Sequence, residues 1–93
     1  MFATKEKLEV DAKTIESKIK TAIPDADVRA VDAGGGDHFD VTVIAESFNG
    51  SSMVAQHRLV YGALGDAMKA EIHALALTTL TPDQYRERLV TEI

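Results

Sequence analysis

The sequence predicts an α+β fold with the element order α-β-β-α-β-α, its three strands forming a mixed sheet packed on helices. Three observations predict it. Apolar residues recur at three-four spacing from Leu8 to Ile23 and again from Met53 to Leu64, "HFDVTVIA" alternates apolar and polar residues, and "TPDQ" follows a threonine-rich apolar run. The first pattern is that of amphipathic helices, the second that of a strand with one buried face, the third a helix start. The 93 residues suit one domain over 1–93, with no repeat and no low-complexity linker.

The first helix carries Leu8, Ala12, Ile15, Ile19, Ala22 and Ile23 on one face and lysines and glutamates on the other. Pro24 ends it, because the residue before proline avoids helical angles; Thr4 and Asp11 are both candidate caps. "DVRAVD" reads as a short strand. In the second strand, Phe39, Val41, Val43 and Ala45 share a face against Asp40, Thr42 and Ile44. "AGGGD" between them is a permissive, mobile reversal, so the two strands form an antiparallel hairpin. After "FNG", Ser51 or Ser52 caps a second helix running to about Ala70, with Met53, His57, Val60, Tyr61 and Leu64 inward. "IHALALTTL" is a third strand. Thr81, Pro82 and Gln84 then make a capping-box start for the last helix.

Composition excludes more than it identifies. The chain has no cysteine, which removes thiol nucleophiles, CxxC redox chemistry and all-thiolate metal sites unless a partner lends thiolates. The net charge is −5, and between Asp25 and Glu46 six acids face a single Arg29. Phosphate neutralisation needs a basic stripe, and none is present. No apolar run has the ~20 residues of a membrane span. The N-terminal residues have neither a signal-peptide apolar run nor transit-peptide composition, so a cytoplasmic protein is expected.

Two motif matches carry little. "GALG", Gly62 to Gly65, has the GxxG spacing of a nucleic-acid clamp, yet it lies in a helical repeat without a basic residue. "GGGD" lacks the Lys-Ser/Thr of a phosphate loop. The acids from Asp25 to Asp40 read as a solvated rim, Ser51 and Ser52 as caps before nucleophiles, and no enzyme site emerges. The histidines say more. Strands two and three are joined through a helix, the connection of parallel strands, whose N-terminal ends share one sheet edge. His38 begins strand two and His73 lies near the start of strand three, so as neighbours they converge on the glycine loop. Imidazole is a common metal ligand, and two would leave coordination positions open. His57 sits mid-helix on the core side, too far from the loop to join them.

The segments "HFDVTVIAESF", "FNG", "HRLVY", "IHAL" and "LTPDQY", in this order and spacing, resemble the BolA-like proteins over residues 28–88. That resemblance implies a KH-like fold without a working GxxG loop. It also implies partnership with a monothiol glutaredoxin and a shared [2Fe-2S] cluster, the glutaredoxin and glutathione giving thiolates and this chain nitrogen ligands. His73 matches the family's C-terminal ligand histidine. The second ligand is a His or Cys of the loop between the first two strands, where this chain offers only His38, at the loop's end. In "HRLVY", His57 is a signature residue facing the sheet, and Arg58 reaches solvent, an acidic neighbour or the partner. The resemblance implies no enzymatic activity. DNA-binding transcriptional regulation, the other activity described for such proteins, is disfavoured by the acidic central stretch.

Overall fold

The computed structural model describes residues 11–70, 72 and 74–92. In chain order these form α1 (Ala12–Ala22), β1 (Asp27–Gly34), β2 (His38–Ile44), a 3-10 turn (Glu46–Phe48), α2 (Met53–Leu64), the single-turn α3 (Ala67–Ala70), β3 (Ala74–Leu80) and α4 (Pro82–Glu92). Three full helices and a three-stranded mixed sheet make this an α+β fold, as the sequence predicts.

Local chemistry sets the boundaries. Asp11 caps α1, its carboxylate accepting from the Thr14 N–H at 2.8 Å; the competing cap Thr4 lies outside the described residues, as does Leu8. The helix stops at Ala22, and Ile23, just before Pro24, has left helical angles at φ −129°. Ser52, rather than Ser51, caps α2 by accepting from the Ala55 N–H at 3.1 Å. At α4 the capping box is complete: the Thr81 N–H donates to Gln84 Oε1 at 2.9 Å and the Gln84 N–H donates to Thr81 Oγ1 at 3.2 Å.

The sheet has the order β1-β2-β3. β1 runs antiparallel to β2 with Val28 opposite Val43 and Ala30 opposite Val41, and β3 runs parallel from His38–Ala74 to Ile44–Leu80. The alternation in β2 is realised: Phe39, Val41 and Val43 are buried while His38 and Asp40 are exposed. They join Ile15 and Ile19 of α1, Phe48, and Val60 and Leu64 of α2 in one core. Burial of side chains this size contributes about 1.5–3 kcal/mol each relative to exposure.

Three expectations need correction. β1 continues two residues past "DVRAVD", because the turn that follows is tighter than a mobile loop. α2 ends at Leu64, not near Ala70. Gly65, at φ +54°, turns the chain out of the helix and donates its N–H to the Tyr61 carbonyl, and helix resumes only at Ala67. The inward face of α2 is also rotated. Its buried residues are Gln56, Val60 and Leu64, whereas Met53 is 67% exposed and Tyr61 also faces out. Val60 and Leu64 stay inward as expected, while His57, one residue and about 100° round the helix from Gln56, lies at the core's margin.

Among the described residues, no helix is long and apolar enough to cross a membrane.

Candidate functional site

The β1–β2 turn is built around one carboxylate. Asp32 Oδ1 accepts from the Gly34 N–H at 2.8 Å and the Gly36 N–H at 3.3 Å. Gly35 and Gly36 have φ of +75° and +80°, a region costly for residues with a Cβ. The turn then hands over to β3: the Asp37 carbonyl accepts from the Ala74 N–H at 3.1 Å. The reversal read from "AGGGD" is therefore a hydrogen-bonded turn anchored at both ends.

His38 follows directly. Its Cα partners are Gly34 on one side and Ala74 on the other, so it occupies the middle of the sheet at the end where β2 begins. Its Nδ1 lies 2.8 Å from Asp37 Oδ1, and both side chains are nearly half exposed. A carboxylate on one ring nitrogen fixes the ring's orientation, the usual outer-shell arrangement of ligand histidines. His73 lies outside the described residues; in the chain it separates Ile72, which is buried, from Ala74, the residue beside His38. Among the described residues, no three His, Cys, Asp or Glu side chains are grouped to hold a metal ion.

His57 belongs elsewhere. It is half-buried and meets the edge of Tyr61, ring centroids 6.4 Å apart and planes at 75°. It lines a groove of about 780 Å³ between α2, the C-terminal half of β3 and α4, together with Met53, Leu77, Gln84 and Arg88. Ala74 marks His38's end of β3, and Leu77–Leu80 mark the other. Arg58 is exposed, as expected.

Gln56 and its partner Thr79 are the buried polar residues that sequence reasoning missed. Gln56 is 6% exposed. Its Nε2 donates to the carbonyls of Phe48 (3.3 Å) and Ser51 (3.0 Å), and its Oε1 accepts from Thr79 Oγ1 at 2.7 Å. The side chain ties the entry to α2 to the end of β3. The signal was its place four residues before Val60, itself four before Leu64.

The acids from Asp25 to Asp40 lie at the surface, as expected, with Asp37 half-exposed, and some of them also hold the chain locally. Besides Asp32 and Asp37, Asp25 caps the 3-10 turn, its carboxylate accepting from the Ser47 N–H at 2.9 Å and the Ser47 hydroxyl at 3.1 Å. The Ser47 N–H bond, above all, holds the Asp25 carboxyl below the ordinary carboxylate range.

The family model for BolA-like protein matches residues 4–84. BolA-like protein 1 of Mus musculus is 45% identical over 58 residues, covering 62% of this chain and 42% of that protein. The DNA-binding transcriptional regulator BolA of Vibrio cholerae is 42% identical over 65 residues, covering 70% of this chain and 61% of that protein. The chain thus spans between two fifths and three fifths of these curated relatives. Among solved structures, a bolA protein homologue from Coxiella burnetii superimposes with a TM-score of 0.65 at 40% identity, covering 83% of this chain and 97% of that one. With "HFDVTVIAESF" as the central strand, "HRLVY" in α2 and "LTPDQY" as the cap of α4, the chain belongs to the BolA-like protein family.

Proposed function

We propose that this chain is a non-catalytic partner of a monothiol glutaredoxin and shares a [2Fe-2S] cluster with it, serving iron-sulfur cluster trafficking or iron and redox regulation. The observation that carries the reading is His38, set in the sheet beside Ala74, the residue after His73, in a chain without cysteine. The donor set fits a shared group and not a resident one. Imidazoles are present and thiolates are absent. His73 and His38 are the nitrogen ligands in this reading, with Asp37 orienting His38. When bound, the cluster supplies one-electron chemistry, and imidazole in place of thiolate raises its potential.

The test is anaerobic co-purification with a monothiol glutaredoxin and glutathione, followed by visible circular dichroism and pulsed EPR of the reduced complex. A cluster should form on the pair and not on the isolated chain, and His73→Ala should remove a nitrogen coupling while leaving the fold intact. A stable cluster on the isolated chain, or unchanged couplings in both His73→Ala and His38→Ala, would refute the proposal.

The second reading, a DNA-binding regulator, is favoured by the name of the Vibrio cholerae relative. A net charge of −5 opposes it, since affinity for duplex DNA rests on counterion release by basic residues. Sequence-selective nanomolar binding at about 150 mM salt would reverse the ranking.

A further inference from the structure

The two outer edges of the sheet are unequal. Along a strand, successive residues point their N–H and C=O to opposite sides. Ala30 turns to the outer edge of β1, and there its N–H is capped by the Glu16 carboxylate at 3.0 Å. On β3, Ala74 donates to Asp37 and Leu80 accepts from Ala45, so the even-numbered residues face β2. Leu75, Leu77 and Thr79 therefore aim their backbone groups away from the sheet. Among the described residues these backbone groups have no hydrogen-bond partner. The edge has no lysine, proline or bulge, the devices that usually protect such a strand.

The C-terminal half of this edge, Leu77 to Leu80, forms the floor of the groove of about 780 Å³ in which His57 sits, and Leu75 continues the edge beyond it. Met53 and His57 of α2 stand on one side, Gln84 and Arg88 of α4 on the other. We infer that the groove binds an extended peptide from another protein, which adds as a fourth strand to β3 with alternating apolar and acidic side chains. Backbone bonding to Leu75, Leu77 and Thr79 gives the affinity, and the two walls read alternate side chains. Met53, 67% exposed, and the half-buried Leu77 offer apolar contact on one side. Arg88, exposed and without an ion-pair partner among the described residues, offers a cation on the other. A second folded copy would bring its own flanking helices against these walls, which a lone strand does not. A nucleic-acid strand would need several cations along its path, and among the described residues the groove's lining offers one arginine and no lysine.

The test pans a displayed library of random decapeptides against the folded chain and titrates the selected peptide into nitrogen-15-labelled protein. Selected sequences should alternate apolar and acidic residues. Exchange of the Leu75, Leu77 and Thr79 amides should slow by about tenfold or more, with Ala76 and Thr78 unchanged. Leu77→Pro removes an outward N–H without touching the β2 ladder and should weaken binding about tenfold, as should Arg88→Glu. If Leu77→Pro does not fold, N-methylation of the peptide's edge-facing amides tests the same bonds. The inference fails if no peptide is selected or if protection appears elsewhere. It fails equally if a thymidine decanucleotide displaces the peptide from these amides, or if the protein alone dimerises with the same protection.

Discussion

Gln56 fixes the rotation of α2 through three hydrogen bonds from one buried amide, something no apolar residue at that position could do. Gln56→Ala leaves the buried Thr79 hydroxyl without its acceptor and opens a void, while the Phe48 carbonyl keeps the Ser51 N–H. An unfolding free-energy loss of about 2–4 kcal/mol is expected by denaturant titration. Gln56→Glu should also destabilise, because it buries a charge and loses the amide donors. His57→Ala is milder. Its ring is half-buried and contributes an edge contact to Tyr61, so a loss of about 0.5–1.5 kcal/mol is expected in the same titration. A loss above that of Gln56→Ala would mean that His57, not Gln56, anchors the helix.

At the level of elements, the two glycines of "GALG" have opposite roles. Gly62 lies within α2, where an added Cβ meets nothing within 4 Å. Gly62→Ala should stabilise by about 0.5–1 kcal/mol through helix propensity. Gly65, at φ +54° and ψ −127°, terminates the helix, and Gly65→Ala should destabilise by about 1–2 kcal/mol. Paired thermal melts check the difference in sign. The spacing of the motif resembles a clamp, yet each glycine is explained by the helix it belongs to.

Element boundaries were legible because their chemistry is local: Asp11 with Thr14, Ser52 with Ala55, Thr81 with Gln84. The side of α2 that faces the core was not. Hydropathy ranks Met53 and Tyr61 above Gln56, and only tertiary partners reverse that order. The stop at Gly65 was hidden because Ala67 and Met68 continue the helical pattern. At the candidate site, parallel pairing of β2 and β3 followed from chain order, and it sets His38 beside Ala74. Asp37's contact with His38 and the Asp32 anchor depend on turn geometry, which composition does not encode.

For the whole molecule, two caps among the described residues contribute to stability toward acid. Asp11 is held below the ordinary carboxyl value of 3.8 chiefly by the Thr14 N–H, and Asp25 chiefly by the Ser47 N–H. Depressed folded-state values mean that their stabilisation is full above the ordinary value and is lost as pH falls through the lower, folded one. Melting temperature measured from pH 5 downward should therefore fall in the wild type below about pH 4. It should fall less steeply in Asp25→Asn, whose amide has no proton to take up. Equal slopes would show that Asp25 does not contribute to the acid response.

The pairing of β2 with neighbours of different connectivity also bears on how the chain assembles. β1 and β2 close through a tight turn, whereas β2 and β3 meet only after α2 and α3 have been threaded between them. Early contacts of low sequence separation cost little chain entropy, so the hairpin should be structured in the transition state and the parallel ladder should form after it. Val28→Ala is then expected to slow folding, and Leu77→Ala chiefly to hasten unfolding, in stopped-flow chevron plots. The reverse assignment would place the nucleus at β3. In this order His38 and Ala74 come together in the last stage of assembly, and the seam between them is the first to part when the protein unfolds.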